Sequence, residues 1–371
     1  MSPPALARPY RVADFTRVLA GPWATQILAD QGFDVVKVEA LDGDETRRFA
    51  PTVDGHSVYF ACTNRNKRSI CIDLGHAAGQ EVARRLIDWA DVVVENFRPG
   101  VMARFGLDHS QVGRPDHVWV GISAFGAENG GAGYDLVLQS VGGITSLTGD
   151  PPAKAGPSIA DLATANVAVQ GVLFALLERE RTGLGRHVDL SMLDVQHALL
   201  AYYASASLNA GASPPPPSNA HPSIAPYNLY RCGEGWLAVC CANEPLWRRL
   251  QAALALPDDP AWASLGARVA DRRRLDAAIT AALASDTAAA WADRLGAAGV
   301  PCGPSLDVAA SLAHPHARRL QIGRWVQPRP PLGIRQNRPP PELGEHTDEV
   351  LAALGYGPAE AAELHAIRAV G

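Results

Sequence analysis

The chemistry-bearing residue that stands out in this chain is a single carboxylate, Asp161, set in "PSIADLATANVAVQG" (157–171) among small and apolar neighbours. Downstream, Leu162, Val169, Val172, Leu173, Leu176 and Leu177 recur on a helical period, and Thr182-Gly183 supplies a stop. This spacing predicts one helix over 161–181 with Asp161 at its N-cap. Two roles fit that position. As a cap, the carboxylate accepts from backbone N–H groups one turn on, for about 1 kcal/mol. As a nucleophile, it is kept ionised by the same donors and by the helix dipole, while Ala160, Ala163 and Ala165 leave room for a ligand.

Two further clusters carry positive charge beside apolar, β-branched runs: "NRNKR" (64–68) and "NFRPGVMAR" (96–104). Taken together, with Phe97 able to stack on a flat ring, they predict a pocket for an anionic ligand that bears an aromatic base. Lysine is otherwise scarce, at positions 37, 67 and 154 alone. Other motifs fail on spacing. The turn Phe15 to Pro22 lacks G-x-G-x-x-G, so Glu39 by itself does not make a dinucleotide site. Gly121 to Gly126 puts its second glycine one place late for a serine-hydrolase elbow, which leaves Ser123 as a strand-end residue. His314-Pro315-His316 has no third ligand spaced to join it, and no metal site is expected.

The elements that must position these residues are legible in the first third. Apolar runs at 10–15, 34–38, 69–74, 91–95 and 117–123 alternate with helical patterns such as 23–31 and 78–90, which predicts a parallel sheet covered by helices. A second long helix is expected over 190–208. The pattern then breaks at "AGASPPPPSNAHPSIAP" (210–226), an extended spacer and a domain boundary. Beyond it come a strand-like "WLAVCCA" and helices over 244–254, 268–283 and 286–299. A proline-rich stretch (327–341) and an amphipathic "EHTDEVLAALG" that needs an apolar partner follow. The expected organisation is therefore a large domain from 1–209, a linker over 210–226, a small domain over 227–326, and a linker with a return to the large domain over 327–371.

Composition narrows the function. A formal net charge of −5 provides no basic field for nucleic acid or an anionic membrane surface. No run of apolar residues reaches a membrane span, and the first residues show no signal-like core. The cysteines follow no metal or disulfide spacing and read as reduced thiols in a cytoplasmic protein.

The ordered motifs "DFTRVLAGPWATQILADQGFDVVKVE", "GDETRR", "NRNKRSICIDL", "ADVVVENFRPG", "GYDLVLQSVGGITSLTGDPP", "SIADLATANVAVQGVLFALLERERTGLGRHVDLSMLD" and "LGEHTDEVLAALGY" together resemble the class III (CaiB/BaiF) CoA-transferases over nearly the whole chain. The resemblance implies an α/β fold: a Rossmann-like large domain with a parallel sheet, a smaller α+β domain, and two chains interlocked as rings in a homodimer. It implies coenzyme A, carried as an acyl-CoA substrate, and a carboxylic acid acceptor. Asp161 would be the nucleophile, passing through an aspartyl anhydride and an aspartyl-CoA thioester. Arg17, Val18 and Leu19 would line the CoA site, Ile72 would border the adenine, and Asn96, Phe97, Arg98 and Arg104 would contact the nucleotide and its phosphates. Tyr134 would lie near the thioester.

Departures from the family pattern exist. Members acting on formyl-CoA and oxalate often carry a glycine run in the small-domain portion that this chain lacks, and Arg17 and Leu19 stand where those transferases have His and Gln. A rival within the family is α-methylacyl-CoA racemase, which uses the same Asp as an acid/base with a His partner. Here Tyr134 replaces that His, and a phenol titrating near pH 10 is a poor base at neutrality. A CoA-binding scaffold without turnover would be favoured by loss of the Asp, which is present.

Overall fold

The computed structural model describes residues 9–212 and 219–371. The proline run at 214–217, read as part of a spacer, and the segment 1–8, read as lacking a signal, lie outside the described residues. The chain divides into two units: 9–145, 154–212 and 318–371 make up one, and 146–153 with 219–317 the other.

The first unit is organised on six strands: β1 Arg11–Phe15, β2 Asp34–Glu39, β3 Arg68–Cys71, β4 Val92–Glu95, β5 Val118–Ser123 and β6 Arg186–Ser191. They run parallel in the order β3-β2-β1-β4-β5-β6. Successive side chains of a strand point to opposite faces, so a strand covered on both sides must be apolar throughout. The sequence obeys this apart from polar positions such as Asp14 in β1 and Lys37 in β2, which are buried. On one face Val12, Val35, Val92, Val94, Val118 and Val120 pack against helices α1 (Ala20–Asp30) and α5 (Ile159–Thr182). On the other, Ala13, Val36, Ile70, Val93 and Trp119 meet helix α3 (Ala77–Trp89) and the C-terminal Val350, Leu351 and Val370. The amphipathic C-terminal helix, Thr347–Ala353, thus finds its apolar partner in this core.

Because β1 pairs with both β2 and β4, the chain leaves the sheet centre in one direction after β1 and resumes on the other side with β4. The loops after β1 and β4, 16–19 and 96–100, border a crevice at the carboxyl ends, where parallel sheets bind ligands. Helix α2 (Val58–Asn64) and helix α4 (Asp135–Val141) complete the surroundings of the crevice.

Two sequence expectations need correction. The helix expected over 190–208 is split. Residues up to Ser191 form edge strand β6, helix α6 runs Met192–Leu199, and a further helix runs Tyr202–Ala210 after Ala201 takes φ +44°. "RHVDLS" did not read as a strand because only one neighbour covers it and its outward positions are polar. The helix expected over 268–283 is also two, Leu265–Ala270 and Arg272–Leu283.

The second unit has an antiparallel sheet, β7 Tyr227–Arg231, β8 Trp236–Cys240 and β9 Cys302–Pro304, in the order β9-β8-β7. Its own core includes Tyr230, Leu237, Val239, Trp247, Leu250, Leu275, Ile279, Trp291 and Leu295. His314 and His316 are exposed. Among the described residues no group of three or more His, Cys, Asp or Glu side chains is placed to hold a metal.

Candidate active site

Asp161 is not the cap of its helix. Helix α5 begins at Ile159 with Ser158 at the N-cap, which puts Asp161 third in the first turn. The capping contact comes from elsewhere: Asp135 Oδ1, from the start of α4, accepts from the Ala160 N–H at 3.0 Å. Among the described residues no hydrogen bond reaches the Asp161 carboxylate, and its charge is not stabilised as the N-cap position implied. Burial first, and the Asp135 carboxylate second, push Asp161 up to about 7, with Lys154 pulling the other way. Nearness to a helix N-terminus favours the anion by only ~0.3–1 kcal/mol in exposed settings, and here the desolvation and the neighbouring carboxylate outweigh it.

Asp161 opens into a cavity of about 110 Å³ whose lining includes Arg17, Val18, Leu19, Asn96, Phe97, Arg98 and Tyr134. Seven residues singled out in the sequence therefore share a wall with the nucleophile candidate. Next to it lies a larger cavity of about 550 Å³ that takes Ile72, Phe105 and Arg48 into its lining. Arg17 and Phe97 line both. Arg104 lines neither; it is exposed at the end of the short helix Val101–Arg104.

The loop between the cavities is tightly held. Asn96 clamps the backbone at Arg17 from both sides, its Oδ1 accepting from the Arg17 N–H at 2.9 Å and its Nδ2 donating to the Arg17 carbonyl at 2.8 Å. Val18 sits at φ +69°, a left-handed conformation that is costly for a β-branched residue. Asp44 accepts from its N–H at 3.3 Å, and Lys37 Nζ donates to the Thr16 carbonyl at 2.8 Å and to Asp44 at 2.9 Å. The loop also folds back onto α1 so closely that a Cβ on Gly21 would lie 2.3 Å from the Thr16 Cβ, which only glycine permits.

The cluster "NRNKR" does not line the pocket. Arg65 and Asn66 bind Asp30, Lys67 binds Asp14 at 3.0 Å, Arg68 binds Asp34, and all are buried. A buried cation needs a carboxylate, and each of these found one inside the unit. Glu39 is likewise committed, held by Arg47 Nε and Nη2 at 2.7 Å each and by Ser69.

Four residues near Asp161 were not singled out as site residues. Asp135 is buried and caps α5. Tyr59, on α2, is pushed up to about 12 by burial and then by the charge of Asp161, so its hydroxyl keeps its proton beside the carboxylates. Ser123 Oγ is enclosed without a hydrogen-bond partner at the end of β5, where it lines the cavity of Asp161. Lys154 faces Asp135 at 3.5 Å. Asp135 adjoins Tyr134 in "GYD", and Lys154 is one of three lysines; those were the available signals.

The site is thus a crevice at the carboxyl ends of a parallel sheet, where a half-buried carboxylate shares a cavity with an arginine-bearing loop. The family profile described as CoA-transferase family III matches residues 9–354. The succinate–glutarate CoA-transferase of Agrobacterium fabrum is 37% identical, with 93% of this chain and 94% of that protein aligned. The acetyl-CoA:oxalate CoA-transferase of Acetobacter aceti is 36% identical over 87% of each chain. The crystal structure of a CaiB/BaiF family protein from Brucella suis superposes with a TM-score of 0.84 at 35% identity, covering 94% of this chain and 98% of that one. The chain belongs to CoA-transferase family III and is a class III CoA-transferase. Enzymes of this class act on CoA thioesters, and the comparisons do not favour the racemase reading.

Proposed function

We propose that the enzyme moves CoA from an acyl-CoA to an acceptor carboxylic acid through covalent intermediates on Asp161. The carboxylate attacks the thioester carbonyl and CoA leaves as the thiolate, giving a mixed anhydride. The thiolate then attacks the aspartyl carbonyl of that anhydride, which releases the donor acid and leaves an aspartyl-CoA thioester. An acceptor carboxylate attacks this thioester, regenerating an anhydride and the thiolate. Attack of the thiolate on the acceptor carbonyl frees Asp161 and yields the new acyl-CoA. Each step exchanges one acyl bond for another, so thioester energy is conserved.

The observation that carries this reading is the position of Asp161: half-buried, free of hydrogen bonds among the described residues, and open to a cavity walled by Arg17, Asn96, Phe97 and Tyr134. A carboxylate stripped of donors is a stronger nucleophile once ionised. In this reading the CoA nucleotide occupies the larger cavity against Ile72, Phe97 and Arg17, and the pantetheine passes the Arg17–Phe97 neck toward Asp161. Arg98 sits at the neck, and exposed Arg104 reaches a phosphate from outside the cavities. Both relatives named above carry dicarboxylates in their names, and we extend that substrate class to this enzyme.

The strand order 3-2-1-4-5-6 supports a Rossmann-like description of the large unit, with a small α+β domain in the other. Helix α5 is long and apolar enough to cross a membrane by length and composition. One of its faces is packed on the sheet, and the other leaves Leu173, Phe174 and Leu177 exposed. We assign that face to a second copy in an interlocked homodimer, not to lipid. Free cysteines throughout fit a cytoplasmic enzyme.

The test is intact-protein and peptide mass spectrometry after incubation with succinyl-CoA, glutaryl-CoA and acetyl-CoA, with hydroxylamine trapping. A hydroxylamine-sensitive adduct on Asp161 is expected. An unmodified Asp161 with all three donors, during active turnover, contradicts the covalent route.

A further inference from the structure

Lys154 lies in the loop that leads into α5, away from the walls of both cavities. Its ammonium donates to the carbonyls of Ala155 at 3.0 Å, Gly156 at 2.9 Å and Pro157 at 3.5 Å, and stands 3.5 Å from Asp135 Oδ2. Gln139, fully buried, ties the same loop to α4: its Nε2 donates to Asp135 Oδ2 at 2.8 Å and its Oε1 accepts from the Ala155 N–H at 2.9 Å. Asp135 then reaches the Ala160 N–H at 3.0 Å, one residue before Asp161. Contacts therefore run without a gap from the lysine to the turn that carries the nucleophile.

We propose, resting on the reading of Asp161 as nucleophile, that Lys154 supplies the countercharge for the Asp135–Asp161 carboxylate pair, acting on the nucleophile through Asp135 from outside the transfer cavity. Two neighbouring carboxylates ionise together only at a cost, and a cation beside them lowers it. The chain's other lysines, Lys37 and Lys67, are sealed in the interior and paired with Asp44 and Asp14. The other titratable or charged groups around Asp161 are Tyr59 on α2, Tyr134 ahead of α4, and Arg17 and Arg98 on the cavity wall. The arginines sit where the acyl-CoA enters; Lys154 approaches from behind, where substrate does not compete for it. Removing its charge leaves burial and Asp135 unopposed, so Asp161 holds its proton to higher pH.

The experiment follows acylation of Asp161 in the full-length enzyme by quenched mass spectrometry, with succinyl-CoA, glutaryl-CoA and acetyl-CoA as probes, across a pH series spanning neutrality. Lys154→Met is expected to move the acid limb of the profile upward by about one unit, a roughly tenfold loss below the limb, with rates above it close to wild type. Lys154→Arg should restore the profile. Should Lys154→Met lose its circular dichroism signature, Lys154→Gln gives the same readout. A profile that keeps its midpoint in Lys154→Met, or falls equally at every pH, overturns this inference alone. Absence of acylation in the wild-type enzyme with all three probes overturns the nucleophile reading on which it rests.

Discussion

Asp14 and Asp161 are both carboxylates withdrawn from water with a lysine close by, yet their surroundings differ in kind. Asp14 accepts from Thr16, Thr25 and Lys67, so that each of its carboxylate oxygens takes two hydrogen bonds. Burial is the largest single influence and works against its charge, but Lys67, Lys37 and the hydrogen bonds from Thr16 and Thr25 together hold it below the usual carboxylate range. Asp161 has a second carboxylate for its main electrostatic neighbour, a lysine that is engaged with that neighbour, and no hydrogen bond among the described residues. The first arrangement fixes a loop; the second, on the proposed function, keeps a group reactive. On that reading, partners supplied or withheld, more than burial, separate a structural acid from a chemical one.

The comparison breaks most visibly at Asp161 itself. Asp161→Ala is expected to lower CoA transfer by at least about a thousandfold in a steady-state assay while the protein stays folded. The corresponding damage at Asp14 is to the fold: Lys67→Met strands a buried carboxylate and is expected to cost ~3–5 kcal/mol in urea denaturation. Replacing both Lys67 by Met and Asp14 by Leu should recover much of that loss.

A pH series sharpens the contrast further. The folded-state pKa of Asp161, at about 7, lies above its unfolded value, so its ionised form penalises folding above neutrality and the penalty fades as pH falls through 7. Asp161→Asn is therefore expected to be more stable than wild type above pH 7, by roughly 1–2 kcal/mol after allowance for partial exposure, with the gain shrinking in acid. Thermal melts at several pH values measure it. The smallest effect is expected at the loop: Asn96→Ala removes the clamp on Arg17 and should raise KM for acyl-CoA about tenfold with kcat little changed.

How much of this was legible in the sequence depended on whether the signal was local. Strands β1 to β5 announced themselves because burial favours apolar runs; edge strand β6 did not, since, unlike the other edge strand, the buried β3, most of its positions are not buried. Asp161 stood out by its small neighbours, and the motif resemblance named the residues that share its cavity. Its state was misjudged: an acidic residue opening a helical pattern looks like a cap, and that the cap is Asp135, distant in sequence, is a fact of packing. The "NRNKR" cations failed for the same reason, because their acids, Asp14, Asp30 and Asp34, come from other elements. Charge clusters reveal that partners exist without revealing which ones.

The covalent role of Asp161 is tested most directly with an acceptor whose carboxylate oxygens are isotopically heavy. During turnover with succinyl-CoA and heavy-oxygen succinate, the anhydride route delivers one acceptor oxygen to the side chain each time Asp161 is released. Peptide mass spectrometry should then find heavy oxygen on Asp161, rising with turnover and absent without acyl-CoA. An Asp161 peptide that remains unlabelled after many turnovers would contradict nucleophilic catalysis by this residue.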